Sequence, residues 1–175
     1  MPRKVIYSMA SSADGFIARP DGSVDFLDRP RPKHMYGMRE FYGSIDTCLM
    51  GRKTYDFAVG HGMRDAYPGK KNFVFSRTLK KVASSKVSLV HEHPAAVVRR
   101  LRAEKGKHIW VVSGSVAGAL LDESELDEII VNIIPVYIGE GVPLFAARHR
   151  SVPLRLVATK KFFDGVVMLH YRVKR

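Results

Sequence analysis

The sequence predicts an α/β domain built on a mixed, mostly parallel central sheet that ends in an antiparallel hairpin. Through the first two thirds of the chain, short apolar segments alternate with helical patterns, and such alternation is typical of parallel sheets. Two later segments of alternating polarity flank Asp164-Gly165, a turn signal that favours a hairpin. The 175 residues are 46% hydrophobic and 26% charged, with no evident linker. We therefore expect one folded domain over residues 1–175.

Each element is predicted from a local signal. Apolar runs of strand length occupy residues 5–10, 47–50, 72–76, 87–90, 109–112 and 129–136, and the hairpin strands occupy 154–158 and 166–173. Helices are predicted over 33–43, 52–57, 94–105 and 116–121. One apolar face of the first helix is shared by Met35, Met38, Phe41 and Tyr42. Pro94 opens the third helix in its favoured first turn, and a serine caps the fourth.

Between the first strand and the first helix, residues 12–31 form a predicted loop. It contains the turn signals Asp14-Gly15 and Pro20-Asp21-Gly22. About 20 residues without a regular pattern are long for a loop in a compact domain, and such loops are usually functional.

The charge of the chain favours anionic partners. The 29 Lys and Arg residues outnumber the 17 Asp and Glu residues, which gives a net charge of +12. No RNA-binding or helix-turn-helix signature accompanies this charge. We predict a solvated basic surface and keep nucleic-acid binding as the less favoured alternative. The densest basic group consists of Arg99, Arg100, Arg102, Lys105 and Lys107.

The single cysteine, Cys48, restricts the chemistry of the chain. It excludes an internal disulfide and a multi-cysteine zinc site, and its apolar surroundings predict a buried side chain. A chain without disulfides suits a reducing cytosol. No apolar run approaches the ~18 residues of a membrane-spanning helix, so we expect a cytoplasmic protein without a membrane partner.

Two strand–glycine–helix turns are candidate phosphate sites, Met50-Gly51-Arg52-Lys53-Thr54 and Val112-Ser113-Gly114-Ser115-Val116. In each turn a glycine lets the backbone approach a ligand, and a helix N-terminus offers free N–H groups. The alternative at either turn is a plain helix cap, but two such turns in one small domain favour a ligand. Ser76-Arg77-Thr78 ends another predicted strand and could hold a further phosphate, with arginine as a planar fork.

Other ligand signatures are absent or weak. The sequence contains neither the Rossmann G-x-G-x-x-G pattern nor a P-loop, so a nucleotide site must belong to another fold. His91-Glu92-His93 could present two imidazoles to a metal, but no third ligand is apparent. We predict a surface loop there and no metal site.

Four ordered motifs run along nearly the whole chain. They are Ser12-Ala13-Asp14-Gly15-Phe16-Ile17-Ala18, Met50-Gly51-Arg52-Lys53-Thr54-Tyr55, Val74-Phe75-Ser76-Arg77-Thr78 and Pro135-Val136-Tyr137-Ile138-Gly139-Glu140-Gly141-Val142-Pro143-Leu144-Phe145. Together they resemble the dihydrofolate-reductase-like superfamily, specifically the RibD C-terminal domain and its stand-alone bacterial relatives. That domain is the reductase half of the bifunctional riboflavin-biosynthesis deaminase–reductase. Two positions depart from the pattern, since Phe26 replaces a common tryptophan and Ser113 replaces a common glycine.

The resemblance implies a three-layer dihydrofolate-reductase-like fold, NADPH as cofactor and a homodimer. The implied reaction is hydride transfer to a C=N or similar unit of a pterin-like or ribosylaminopyrimidine-like small molecule, with residues 12–31 as a lid. The implied cofactor contacts are Ala10; Gly51, Arg52, Lys53 and Thr54 at the phosphates; Ser76, Arg77 and Thr78 at the 2′-phosphate; and Ser113, Gly114, Ser115 and Val116 at the pyrophosphate.

The resemblance is less informative about groups that touch the substrate. Asp14 matches the family's loop aspartate and is the implied substrate contact, the alternative being a simple turn residue before Gly15. Dihydrofolate reductases carry an acidic residue on the first helix, and Glu40 is the only carboxylate on that predicted helix here. Glu40 is thus the candidate proton donor, with Asp25, Asp28 or water as alternatives. A relative that binds NADPH with little catalysis remains a second reading.

Overall fold

A computed structural model describes residues 2–30, 35–148 and 150–174. The strands of this part of the chain are β1 (Val5–Ser12), β2 (Phe16–Ala18), β3 (Ile45–Gly51), β4 (Lys71–Phe75), β5 (Val87–Val90), β6 (His108–Val111), β7 (Glu128–Ile134), β8 (Val142–Pro143), β9 (Leu154–Lys161) and β10 (Val167–Val173). Its α-helices are α1 (Met38–Ser44), α2 (Arg52–Gly60), α3 (Pro94–Ala103) and α4 (Gly114–Asp122), and 3-10 turns form at Asp25–Leu27 and Met35–Gly37.

Eight strands form one sheet in the order β5-β4-β3-β6-β1-β7-β10-β9. The pairs from β5 to β7 are parallel, whereas β10 is antiparallel to both β7 and β9. The fold class predicted from the sequence is therefore confirmed, including the C-terminal hairpin, whose Gly165 adopts a φ of +86°. β1 lies in the middle of the sheet because its apolar run can be buried on both faces, as Val5 is on one face and Ile6 on the other.

Helices cover both faces of the sheet, which gives three layers. One face packs against α3 and α4, with Val98 and Leu120 in the largest apolar cluster. The other face packs against α1 and α2, where Tyr55 lies in a second cluster with Trp110 and Met50. A third, smaller cluster on the same face gathers around Ile134, Phe162 and Val166. The space between the second and third clusters is where the site lies.

Two predicted helix boundaries are wrong. The first helix begins at Met38 rather than at residue 33, because Tyr36 and Gly37 adopt positive φ values of 56° and 82° that an α-helix cannot contain. Residues 33 and 34 of that prediction lie outside the described part of the chain. The fourth helix begins at Gly114, and its N-cap is Ser113, whose side chain makes no capping hydrogen bond.

The predicted loop over residues 12–31 contains regular structure. Ser12 still belongs to β1, and β2 pairs with β8 through Phe16 and Pro143. A Cβ at Gly141 would lie 2.1 Å from the Ala18 carbonyl oxygen, so this close approach requires a glycine. The late glycine motif thus anchors the start of the loop. Arg31, the end of the predicted loop, lies outside the described residues.

Candidate functional site

The three predicted phosphate motifs meet at one edge of the sheet. They follow β4, β3 and β6, which are neighbours in the sheet and run parallel. Because parallel strands end at the same edge, Ser76, Arg52 and Ser113 come together there although they are far apart in sequence. This edge is the place where open α/β sheets bind ligands.

The centre of this edge is built around Gly51. A Cβ on Gly51 would lie 2.9 Å from Ser113 Oγ and 3.1 Å from Ser115 Oγ, and the two serine hydroxyls are 3.0 Å apart. α2 and α4 both begin here, at Arg52 and Gly114. The N-cap of α2 is Gly51, which has no side chain, and the side chain of Ser113, the N-cap of α4, makes no capping hydrogen bond. Two helix N-termini therefore offer their backbone N–H groups beside two hydroxyls, an arrangement that suits an anion.

The outer corner of the edge is organised by Arg52. Its guanidinium donates to Thr78 Oγ1 at 2.9 Å and to Asp56 at 3.2 Å. Ser76 Oγ accepts the N–H groups of Thr78 and Leu79, at 3.3 and 3.0 Å, so it shapes the turn. Arg77 is exposed at the same corner. The corner thus carries two positively charged residues, Arg52 and Arg77.

Next to this edge lies a cleft of about 1360 Å³, on the face of the sheet that carries α1 and α2. Its floor comes from three strands and the residue after β6: Ser8, Ala10, Trp110, Val112, Asn132 and Ile134. Its walls include most residues of the segment 17–29, so this part of the long loop faces the cleft. The other wall contains Lys53, Thr54, Phe57 and His61 from α2 and the residue after it. A cleft of this size and apolar floor suits an organic ring system.

Several predicted site residues are placed away from the cleft or serve the fold. Val116 is 3% exposed and packs in the largest apolar cluster. A Cβ on Gly114 would lie 2.6 Å from the Leu144 carbonyl oxygen, so this glycine is required by the neighbouring backbone. Glu40 is exposed on α1 and is not among the residues that line the cleft. Ala10, Lys53 and Thr54 do line it.

Asp14 lies outside the cleft lining and holds the late glycine motif. Its carboxylate accepts the N–H groups of Ile138 and Gly139, at 3.3 and 2.8 Å. Burial acts to raise the pKa of Asp14, but hydrogen bonds from Ser12, Gly139 and Ile138 outweigh it and lower this pKa below its usual value. A carboxylate held in the ionised form is poorly suited to donate a proton near neutral pH.

The structure adds floor and wall residues that sequence reasoning missed. Trp110 is the only tryptophan of the chain and donates from Nε1 to the Ser8 carbonyl at 3.0 Å. His61 stacks against Phe57 with ring centroids 4.1 Å apart. Asn132 is 8% exposed, and its Oδ1 has no hydrogen-bond partner among the described residues. The only sequence signal for Asn132 was its isolation in the most apolar run of the chain.

The far end of the cleft is fixed by the turn between β9 and β10. Tyr36 Oη donates to the Asp164 carboxylate at 2.5 Å, and Arg29 Nη2 donates to the Asp164 carbonyl oxygen at 2.7 Å. The hydrogen bond from Tyr36 lowers the pKa of Asp164. Because Arg29 and Tyr36 both line the cleft, this turn sets the position of the cleft's outer wall.

The remaining sequence motifs have structural partners. His91 Nδ1 bonds to the Ser76 carbonyl oxygen at 2.6 Å, and His93 caps α3. Arg99 pairs with Glu123 and Glu125, both within 3.0 Å. Of the five residues in the dense basic group, Arg100 and Arg102 are likewise paired, with Glu92 and with Asp127 and Glu125. This pairing lowers the free positive charge that a nucleic acid could contact.

Among the described residues, no group of three or more His, Cys, Asp and Glu side chains lies close enough together to hold a metal ion. No helix in residues 2–30, 35–148 and 150–174 is long and apolar enough to cross a bilayer.

The donor set at the sheet edge fits a phosphate-bearing dinucleotide. Gly51 leaves its backbone facing the Ser113 and Ser115 hydroxyls with no side chain between them. Arg52 and Arg77 supply positive charge at one end, and Ala10 lies on the cleft floor at the other. Phosphates and a flat ring could thus be held along one continuous surface.

Comparison with known proteins agrees with this geometry. The uncharacterized protein YwjB of Bacillus subtilis (strain 168) is 36% identical over 172 residues, which covers 98% of each chain. A crystal structure from Shewanella sp. PV-4, described as a candidate riboflavin biosynthesis protein, is 28% identical, covers 100% of both chains and has a TM-score of 0.88.

A more distant structure shares the fold. The dihydrofolate reductase of Enterococcus faecalis, solved with NADP(H), has a TM-score of 0.72 at 18% identity and covers 98% of this chain and 97% of its own. The family model of the RibD C-terminal domain matches residues 3–168. The chain therefore belongs to the RibD C-terminal domain family and has a dihydrofolate-reductase-like fold.

Proposed function

We propose that the protein is an NADPH-dependent reductase of a pterin-like or ribosylaminopyrimidine-like small molecule. The observation that carries the proposal is the sheet edge at Gly51, where two helix N-termini and two serine hydroxyls adjoin a large apolar cleft. Family membership adds support, and so does the shared fold of a reductase solved with NADP(H). One reductase domain would span the whole chain.

The residues of the edge would bind and orient the cofactor. Gly51 and the N-termini of α2 and α4 would receive the phosphates, because both helices begin at this edge and the first N–H groups of a helix have no partner within it. Arg52 and Arg77 would neutralise a 2′-phosphate, with the planar fork that favours phosphate oxygens. When bound, NADPH supplies the hydride. Ala10, with its small side chain, would leave room for a ring on the cleft floor.

The cleft itself would align the substrate and exclude water. Trp110 and Phe57 present aromatic surface to a planar ring, and the segment 17–29 closes one side. When a cofactor supplies the reactive group, the main contribution of the protein is to hold the two reactants in a fixed orientation and to exclude water.

The proposal includes the cell compartment and the assembly. A protein whose Cys48 is buried and unpaired suits the reducing cytoplasm. All eight residues of the edge strand β9 are exposed, and Leu154, Leu156 and Val157 present 40–51% of their surface. Exposed apolar edge strands favour association, so we propose that a second copy of the chain covers β9 in a homodimer. Light scattering of the Leu156→Lys variant tests this.

Cofactor titration tests the function. We expect NADPH to bind with a dissociation constant in the micromolar range, and NADH to bind much more weakly. Arg77→Ala should weaken NADPH binding at least tenfold and leave NADH binding unchanged. Arg99→Ala removes the same charge from a surface where the arginine is paired with glutamates, so it is the matched control. Absence of binding by both cofactors would refute the proposal.

A cofactor-binding protein with little catalysis is the second candidate. The carboxylates that line the cleft are Asp21, Asp25, Asp28 and Asp56, and all are exposed. Asp25 pairs with Arg19 and Asp56 with Arg52. A buried carboxylate that could protonate a ring is thus absent from the described cleft lining. NADPH binding without oxidation of NADPH by any reducible pterin or pyrimidine would favour this candidate.

A further inference from the structure

We propose that Asn132 is the specificity-determining residue of the cleft, and that it selects a planar ring with a lactam edge, meaning an N–H and a C=O group side by side. The proposal rests on the proposed function, since it concerns the substrate of that reductase. It concerns an amide whose oxygen makes no hydrogen bond within the described part of the chain.

Asn132 lies on the floor of the cleft in β7. It is paired in register with Ala10 of β1 on one side and with Met168 of β10 on the other. Ala10, the neighbour on the β1 side, is small and also lines the cleft. Apart from Ser8, the remaining floor is apolar, with Trp110 and Ile134. A single amide on an apolar floor is the arrangement that fixes the orientation of a ligand.

The oxygen of the Asn132 amide is buried without a partner among the described residues. Asn132 is 8% exposed, and its Oδ1 makes no hydrogen bond to any described residue. Buried polar groups are almost always satisfied in folded proteins, and one that is not costs stability. Asn72 provides the contrast within the same sheet. It is 2% exposed, and its Nδ2 donates to the carbonyl oxygens of Asp65, Tyr67 and Lys70 at 2.9–3.0 Å.

The chemistry of a carboxamide indicates the class of ligand. An asparagine presents one acceptor and one donor side by side. A lactam presents the complementary donor and acceptor in the same plane, so both pairs can form at once. An amidine edge, as in a 2,4-diaminopyrimidine, offers only donors when protonated and would require a carboxylate. The exposed carboxylates of the cleft do not replace this role, because they lie on its walls and Asn132 lies on its buried floor.

Fragment binding to the full-length protein saturated with NADPH tests the proposal. The probes are uracil, 1,3-dimethyluracil, which lacks both N–H groups, and 2,4-diaminopyrimidine, each followed by ligand-observed NMR. We expect uracil to bind at least tenfold more tightly than the other two at a pH that keeps the diaminopyrimidine protonated. 1,3-Dimethyluracil cannot donate to Oδ1, and the protonated amidine edge offers no acceptor to Nδ2, so each leaves one of the two hydrogen bonds unmade. Asn132→Leu should lose at least tenfold in uracil affinity. Asn132→Asp should prefer 2,4-diaminopyrimidine over uracil.

Stability separates this role from a structural one. Asn132→Leu removes an unpartnered polar group from a buried position, so its urea midpoint should equal or exceed that of the wild type. Asn72→Leu is the matched control and should lower the midpoint strongly, because it leaves three carbonyl oxygens without their donor. NADPH affinity should stay within twofold of the wild-type value in Asn132→Leu.

Four results would overturn the proposal. Three of them are a urea midpoint of Asn132→Leu that falls as in Asn72→Leu, a wild-type protein that does not prefer uracil, and an Asn132→Leu variant that keeps its uracil affinity. A large loss of NADPH affinity in Asn132→Leu would also overturn it, since the amide would then serve the cofactor. If the wild-type protein does not bind NADPH, the proposed reductase function is refuted. The role of Asn132 is then decided by titrating uracil into the wild type and Asn132→Leu without NADPH.

Discussion

Replacement of Gly51 by alanine tests whether the sheet edge binds a ligand or only contains two helix N-termini. The added Cβ would lie 2.9 Å from Ser113 Oγ and 3.1 Å from Ser115 Oγ. Both contacts are shorter than an ordinary carbon–oxygen contact, so at least one hydroxyl must rotate away. That rotation breaks the 3.0 Å hydrogen bond between the two serines.

The effect of Gly51→Ala on stability should be small. Loss of one neutral hydrogen bond costs about 0.5–1.5 kcal/mol. The backbone at Gly51, with φ −82° and ψ 169°, is open to alanine, and Gly→Ala at a compatible position stabilises by about 0.4–1 kcal/mol through the unfolded state. The two terms nearly cancel, so we expect a net loss in the free energy of unfolding of at most about 1 kcal/mol, measured by urea denaturation.

The effect of the same change on the cofactor should be large. A methyl group and a displaced hydroxyl would occupy the position where a phosphate approaches the helix N-termini. We expect NADPH affinity to fall at least tenfold, which is about 1.4 kcal/mol, in a fluorescence titration. Ser113→Ala in the Gly51→Ala background removes the nearest contact and should restore part of the affinity. Gly43→Ala, where a Cβ meets nothing within 4 Å, is the control.

Either of two results would refute this reasoning. If Gly51→Ala binds NADPH as the wild type does, the edge at Gly51 is not a phosphate site. If the variant unfolds at much lower urea concentration than the Gly43→Ala control, the glycine serves packing of β3 against β6, and any loss of affinity is secondary.

Three further predictions concern stability and reactivity. Tyr7→Phe removes the hydroxyl that donates to the Leu144 carbonyl at 2.6 Å, and it should lower the free energy of unfolding in urea by about 1–3 kcal/mol because a buried acceptor is left unpaired. Burial acts to raise the pKa of Glu128, but hydrogen bonds, chiefly from Lys4, hold it below 4.5. The stability that this depressed pKa contributes is complete above pH 4.5 and is lost as the pH falls through the folded-state pKa. The free energy of unfolding of Glu128→Gln should therefore fall less steeply with decreasing pH than that of the wild type. Burial raises the pKa of Cys48 to about 12, so a thiol reagent at neutral pH should label it only as fast as the protein opens.

Each of these predictions has its own contrary result. An unchanged urea midpoint in Tyr7→Phe would mean that another donor reaches the Leu144 carbonyl. An acid profile of Glu128→Gln as steep as that of the wild type would show that other carboxylates govern acid unfolding. Rapid labelling of Cys48 in the native protein, with urea unfolding unchanged, would contradict its burial.

The sequence carried enough information for the fold class and the family. Strand–helix alternation and the Asp164-Gly165 turn are local features, and they predicted the mixed sheet with its terminal hairpin. The ordered motif from Pro135 to Phe145 led to the family. Local signals also placed Gly51 at the end of one strand and Ser113 at the end of another. The predicted first helix began too early, because the positive φ of Tyr36 leaves no pattern in the sequence.

Only the tertiary structure decided which residues share the site. Parallel strands that are distant in sequence become neighbours in the sheet, so the contact of Gly51 with Ser113 depends on the strand order. The same order brings Asn132 beside Ala10 and makes an isolated polar residue part of a cleft floor. Gly114 resembled a ligand-binding glycine in sequence, yet it is fixed by the Leu144 carbonyl. Local chemistry thus determined the elements, and long-range packing determined the surface that they form.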